Sequence, residues 1–258
     1  MSGQLSITWR GRACMATLNR AAVGNALSHD LVEDMHLALD EAVAGQATLL
    51  VLTGEGRHFC TGFDLSSVEH QEESSLLHRF VRIEMLLSRL YTVPFVTLAY
   101  VNGAALGAGA DLYAACSRRF SGPSARFAFP GAGFGLLLGT RRLAQRVGAS
   151  TAEELVVSGR AMDASEAVGL GLTLELVEPD AFEALLEREV LSADRLDRDT
   201  LGSVRRLLTR NDEDSDLADL VRSAIRPGLR ERIINHRART KKREERPLQE
   251  ANNQGAVS

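Results

Sequence analysis

Twice in this sequence an unbroken apolar run leads directly into a stretch dominated by glycine and other small residues. Thr48 to Thr53 runs into Gly54-Glu-Gly-Arg-His-Phe-Cys-Thr-Gly62, and Phe95 to Val101 runs into Asn102 to Gly109. An apolar run without alternation marks a strand covered on both faces, which is the habit of parallel sheets flanked by helices. The helical pattern is present between the runs. Ser28 is placed to cap a segment in which Leu31, Met35, Leu39 and Val43 recur every four residues, and Gly45 stands at its end. Leu76 to Leu90 is amphipathic in the same way, with Pro94 separating it from the second run. The polar stretch Ser66 to Ser75 reads as a mobile loop.

The remaining elements extend this scheme. Leu5 to Trp9 and Ala13 to Leu18 flank Arg10-Gly11-Arg12 and read as a hairpin. A helix is predicted over Ala110 to Cys116, short strands over Arg119 to Ser121 and Ala125 to Phe129, helices over Thr140 to Val147 and Ser150 to Val157, and a last strand over Leu172 to Val177. Residues 1–180 are thus expected to form an α/β core. From Phe182 to Arg246 the pattern is helical and rich in Arg and Glu, which predicts a helical lobe over 181–247; the composition of 248–258 predicts a flexible tail. A chain of 258 residues with 45% hydrophobic and 25% charged residues has enough apolar material for a large core, and disorder is excluded for most of it.

Several function classes drop out. A net charge of −4 provides no global field for gathering nucleic acid or anionic membrane. Cys14, Cys60 and Cys116 are odd in number and widely spaced, as expected of free core thiols rather than a disulfide framework or a zinc site. No apolar stretch approaches the roughly 18 residues of a membrane span and no signal-peptide pattern opens the chain, so the expected address is the cytoplasm. GxGxxG after the first strands, GxxxxGK[ST], HExxH and GxSxG are all missing, which leaves dinucleotide, P-loop, zincin and hydrolase-elbow chemistry without a motif.

What remains is the pair of small-residue segments, His58-Phe-Cys-Thr-Gly-Phe-Asp-Leu65 and Val101-Asn-Gly-Ala-Ala-Leu-Gly-Ala-Gly-Ala-Asp-Leu112. Small residues let a ligand approach the backbone, and an amide at a helix N-terminus presents its N–H with the helix dipole behind it. Two such amides make an oxyanion hole; the same glycines also suit tight turns and close packing.

At this level the chain resembles the crotonase superfamily of enoyl-CoA hydratases and isomerases. The likeness is carried by Asn19-Arg-Ala-Ala-Val-Gly-Asn-Ala-Leu27, Phe59-Cys-Thr-Gly-Phe-Asp-Leu65, Asn102-Gly-Ala-Ala-Leu-Gly-Ala-Gly-Ala-Asp111, Gly139-Thr-Arg-Arg-Leu143 and Ala164-Ser-Glu-Ala-Val-Gly-Leu-Gly-Leu172, in order over about residues 4 to 180. It implies a crotonase (ClpP-like) α/β fold of repeated β-β-α units with a helical C-terminal lobe that mediates trimers or dimers of trimers. The implied ligand is an acyl-CoA thioester, with CoA held along Phe63, Asp64, Leu65 and Ser66. The thioester carbonyl would lie between the amides of Phe63 and Ala108, which stabilise an enolate. No metal or redox cofactor is implied.

Two departures matter. Asp111 stands where hydratases of the family carry their first glutamate, one methylene shorter, and is the leading proton-transfer candidate; its alternative is a carboxylate capping its helix or pairing with an Arg. Gly131, in Phe127-Ala-Phe-Pro-Gly-Ala-Gly-Phe-Gly135, stands where the second glutamate would be, so two-glutamate hydration is not supported. Isomerisation, decarboxylation and thioester hydrolysis stay open, as does a catalytically silent acyl-CoA- or RNA-binding protein. The resemblance makes Asp64 a loop brace, and its Phe63 ring is expected to line or narrow the acyl pocket. His58 and His70 flank the first loop as candidate bases or phosphate contacts, while His29, His36, His78 and His236 lie on predicted helices without metal spacing. Tyr91, Tyr100 and Tyr113 are possible donors to a carbonyl, Tyr113 pointing away from Asp111. Arg226 to Arg246, with nine Lys or Arg against three Glu, reads as a solvated helix face, a CoA-phosphate contact or an RNA contact.

Overall fold

The computed structural model describes residues 2–209 and 212–240. In chain order its elements are β1 (Leu5–Arg10), β2 (Ala13–Leu18), α1 (His29–Ala44), β3 (Leu49–Gly54), α2 (Glu73–Thr92), β4 (Val96–Val101), β5 (Ala104–Leu106), α3 (Ala108–Ala115), β6 (Arg118–Ser121) and β7 (Arg126–Ala128). These are followed by α4 (Thr140–Val147), α5 (Ala149–Ser158), β8 (Met162–Asp163), α6 (Ala164–Gly169), β9 (Glu175–Leu176), α7 (Phe182–Ala193), α8 (Arg198–Leu208) and α9 (Glu213–Ala224), with a last helix, α10, over 229–240. Six strands form one sheet in the order β1-β2-β3-β4-β6-β9, antiparallel at the β1–β2 hairpin and parallel from there on; β5, β7 and β8 form a second, smaller sheet.

The unbroken apolar runs are explained by what covers the large sheet. Side chains alternate along a strand, so each face of β3 receives every second residue. Leu50 and Leu52 enter the main core with α1, α2 and α3, whereas Leu49 and Val51 join Ala13, Leu98, Tyr100 and Phe120 under Leu185, Leu186 and Ala193 of α7. A third apolar cluster joins Leu220, Ala224, Leu229 and Ile233 of the C-terminal helices to Val68, Leu76, Phe80 and Leu136. It brings the lobe onto the loops that follow β3 and β7.

Several expectations need correction. Val43 is exposed and Ala42 is buried in its place, because the apolar stripe of α1 drifts relative to a strict four-residue step. Gly45 ends α1 without entering the left-handed region; Gln46 does so, at φ 56°, and Gly45 is small because the Trp9 ring lies against it. The 66–75 segment contains a single 3₁₀ turn at Val68–His70, and α2 already begins at Glu73. The run 102–109 is not merely a turn, since β5 forms within it and α3 starts two residues earlier than predicted. The last strand shrinks to Glu175–Leu176, and β8 and α6 form where the sequence pattern predicts no element. The three cysteines are free and buried. Among the described residues no helix is long and apolar enough to cross a membrane. The tail expected over 248–258, and the lysines and arginines of 241–246, lie outside the described residues.

Candidate active site

The site is built where the two small-residue segments pair. Cys60 bridges Ala105 in parallel: the Cys60 N–H donates to Ala104 O at 3.1 Å and the Leu106 N–H to Cys60 O at 2.9 Å. Three residues beyond this matched pair come Phe63 on one segment and Ala108 on the other, and Gly62 still lies close to Ala108 there. Between them the first segment turns over. Cys60 hydrogen-bonds toward β5 and the Thr61 N–H toward Gly24 O, but after Gly62, at φ +94°, both Gly62 O and the Asp64 N–H bond to Leu27. Alternation along an extended chain then directs the Phe63 N–H away from Leu27, toward the side occupied by α3. A methyl at Gly62 would lie 2.6 Å from Leu106 O and 3.4 Å from Ala108 N, which is how closely the segments approach.

Ala108 is the first residue of α3, where an N–H has no partner inside the helix and the helix dipole adds partial positive charge. Among the described residues, neither the Phe63 nor the Ala108 N–H has an acceptor. Gly107, at φ 52°, makes the entry possible, and its own N–H is taken by Ala128 O of β7.

The loop is braced around these amides. Asp64 accepts from Arg20 Nη2 and from the Ser66 N–H, both at 2.9 Å. Burial works to raise its pKa, but the Ser66 and Arg20 hydrogen bonds outweigh it and hold the carboxyl below its ordinary value. Arg79 donates to Gln71 Oε1, Leu27 O and Asp64 O. Its guanidinium sits 4.0 Å from the centre of the Phe63 ring, which also stacks on Phe80 at 4.3 Å. The Phe63 side chain therefore belongs to the apolar cluster between α2 and the lobe, with Leu65 beside it. Asn25, fully buried in the left-handed region, donates to Glu55 O and His58 O and accepts from the Arg20 N–H. His58 Nδ1 accepts from the Ala104 N–H at 3.2 Å, so this histidine ties the two segments together.

Asp111 lies one turn into α3 from Ala108, on the same helix face. It is buried, and Oδ1 is sealed from solvent with no hydrogen-bond partner among the described residues. Burial first, and the nearby Glu84 carboxylate second, push its pKa well above the ordinary carboxylate range against the pull of Arg142. Glu84 of α2 and Arg142 of α4 form a buried ion pair at 2.6 Å, and Arg142 also reaches Asp216 Oδ2 of α9 at 3.2 Å. Sequence reasoning singles out neither Glu84 nor Arg142 nor Asn25. A carboxylate four residues after Phe80 on the apolar stripe of α2 is the available signal for Glu84.

Gly131 lies in a 3₁₀ turn, Pro130–Phe134, where an added Cβ would meet only Leu136 O, at 3.1 Å. No side chain from elsewhere among the described residues fills that direction. His236 of α10 packs on Gly133 and tilts against Phe134, and burial lowers its pKa. The described arginines of 226–240 are largely engaged internally: Arg232 donates to Phe134 O, Gly135 O, Ser223 O, Ala224 O and Arg226 O, and Arg237 pairs with Glu69. His36 is buried between Arg82 O and Arg89, and the Tyr113 hydroxyl meets Thr173 at 2.8 Å. Among the described residues no group of three or more His, Cys, Asp or Glu is arranged to hold a metal ion. Two cavities, of about 650 and 790 Å³, lie by α8; Phe63, Ala108 and Asp111 line neither.

Comparison with known proteins identifies the family. The family model for enoyl-CoA hydratase/isomerase matches residues 10–245. The chain is 32% identical over 181 residues to the 2,3-dehydroadipyl-CoA hydratase of Escherichia coli, covering 69% of this chain and 70% of that protein. It is 32% identical over 176 residues to the short-chain-enoyl-CoA hydratase of Clostridium acetobutylicum, covering 66% and 67%. A crystal structure from Bordetella parapertussis, assigned to an enoyl-CoA hydratase/isomerase, superimposes with a TM-score of 0.90 at 43% identity over 91% of this chain and 98% of that one.

Proposed function

Since the chain belongs to the enoyl-CoA hydratase/isomerase family and has its crotonase-type fold, we propose that it moves protons at the carbon beside the carbonyl of an acyl-CoA thioester, through an enolate, with a single side-chain acid. The reading is supported above all by Phe63 and Ala108, two amides without acceptors among the described residues, each three residues beyond the Cys60–Ala105 pair. A thioester oxygen between them accepts both N–H groups as negative charge grows on it. Removing one such donor typically costs roughly 2.7 to 4 kcal/mol of transition-state stabilisation, so backbone alone supplies a large part of the rate. This is why Ala108 serves as well as glycine: the N–H is unchanged.

Asp111 is the proton carrier in this proposal. Its surroundings favour the neutral acid, so its first act is donation. When water adds to the β-carbon of an enoyl thioester, the alkene electrons shift to the carbonyl oxygen. Asp111 then gives its proton to the α-carbon, and the proton lost by the added water restores the acid. No second carboxylate enters this balance, consistent with Gly131. The neutral state of Asp111 also favours a second reading: loss of CO₂ from a malonyl-type thioester creates the same enolate without any base, and Asp111 quenches it. CoA along Phe63 to Ser66 and assembly into trimers or dimers of trimers belong to the same proposal; Leu191, Leu207 and Leu208 are exposed apolar side chains of the lobe.

The test is a panel of saturated, 2-enoyl, 3-enoyl and malonyl-type CoA thioesters incubated in D₂O and read by mass spectrometry. Wild type is expected to place deuterium on the α-carbon of at least one, and Asp111→Asn to lose that exchange by a factor of about 100 or more. Undiminished exchange in Asp111→Asn would remove Asp111 from the mechanism.

A further inference from the structure

Glu84 is a buried carboxylate that the family resemblance does not account for. It lies on α2, 2% exposed, with Oε1 held by Arg142 Nη2 at 2.6 Å, and the Gly139 N–H is near enough to help restrain its pKa. Gly139 touches a second carboxyl as well. It caps α4 at φ +65°, and a methyl group there would collide with Asp111 Oδ1. One glycine thus forms the floor under Asp111 and lies near Glu84, with Arg142 one turn further along α4. Arg142 is itself fully buried, and its Nε and Nη1 have no hydrogen-bond partner among the described residues. The other charge that faces the pair is Asp216 of α9, which Arg141 also binds, at 2.7 Å.

We propose that Glu84 is a positioning residue of the active site: locked by Arg142, its carboxylate is the fixed negative charge beside Gly139 against which Asp111 keeps its proton and its orientation. Two neighbouring buried carboxyls do not both ionise readily, and the one with the arginine partner carries the charge. Glu84 has that partner, and Asp111 Oδ1 has none among the described residues. Burial raises both carboxyls; at Glu84 the rise is restrained by the Arg142 ion pair, whereas Asp111 is raised well above its usual range. In place of a second carboxylate that meets the substrate, the site has one that acts through the first. This inference rests on the reading of Asp111 as proton carrier.

The experiment follows Asp111 directly in the full-length protein, by ¹³C-carboxyl NMR on aspartate-labelled samples, its resonance identified by its loss in Asp111→Asn. In Glu84→Gln the Asp111 midpoint is expected to fall by about one pH unit or more, a tenfold change in proton affinity. Glu84→Asp, which keeps the charge, should hold the midpoint high. If Glu84→Gln does not fold, the comparison is between Glu84→Gln/Arg142→Gln and Arg142→Gln alone, and the Asp111 midpoint should be lower in the double variant because only it lacks the Glu84 carboxylate. An unchanged or higher midpoint overturns the proposal. The limb of the exchange-versus-pH profile owed to Asp111 should move to lower pH by the same amount. If Asp111→Asn leaves exchange intact while Glu84→Gln lowers the midpoint, the carrier reading fails and only the Glu84–Asp111 coupling stands, without a role in the reaction; the reverse pattern removes only the positioning role.

Discussion

Single residues decide this site through what they leave out as much as what they contribute. Gly139 is the clearest instance, because it combines a left-handed backbone with direct contact to Asp111 Oδ1. Gly139→Ala is expected to destabilise the protein by roughly 1–3 kcal/mol, from backbone strain and overpacking together. It should also cut α-carbon exchange by on the order of 100-fold, since displacing a catalytic group by about 1 Å costs that much. Urea denaturation and the D₂O assay measure the two effects, and wild-type values in both would show that the contact is slack. Asp111 was legible in the sequence as a carboxylate entering a helix after a small-residue run. Its isolation from hydrogen-bond partners was not, because that depends on Gly139 and Arg142, about 30 residues further on. Asp64 was legible as a brace, and Arg20 and Ser66 supply the bracing.

At the level of elements, the long ones are readable from sequence and the short ones are not, for a physical reason. α1 and α2 each bury a periodic apolar face, β3 and β4 are unbroken apolar runs, and both patterns are written locally. β5 and β8 are two or three residues long and exist only because another segment pairs with them, Ala104–Leu106 against Arg126–Ala128 and Met162 against Phe127. Nothing in Asn102-Gly-Ala-Ala-Leu-Gly announces a strand; the partner makes it one. The same holds for the site, since the Cys60–Ala105 bridge that precedes Phe63 and Ala108 is a tertiary pairing. Glu84 lies on the apolar stripe of α2, where a carboxylate signals a buried partner, but the identity of that partner required the packing of α4 on α3, which brings Arg142 to α2.

Over the whole molecule, buried carboxyls leave a signature in stability. Asp111 and Glu84 have folded pKa values above their unfolded ones, so the folded state binds more protons between the two. Their contribution is present in full below the ordinary carboxylate range and is lost as pH rises through the folded midpoints; every pH unit that separates a folded from an unfolded midpoint is worth about 1.4 kcal/mol. Asp64 acts in the opposite sense: its contribution is present above the ordinary range and is lost as pH falls through its depressed midpoint. Urea midpoints from about pH 4 to 9 should therefore fall more, or rise less, toward alkaline pH in wild type than in Asp111→Asn; parallel curves would mean that Asp111 ionises freely. The proposed function turns on one claim, that two backbone N–H groups stabilise an enolate oxygen. Ala108 is the first residue of α3, a position where proline suits a helix and replaces the N–H by a ring carbon. The decisive measurement is kcat/KM for α-carbon deuterium exchange, on the thioester that wild type exchanges fastest, in Ala108→Pro and Ala108→Gly with helix content checked by circular dichroism. Ala108→Pro should lose about 100- to 1000-fold while Ala108→Gly stays within about tenfold of wild type; a folded Ala108→Pro enzyme with wild-type exchange, or no exchange by wild type on any thioester, would contradict the account.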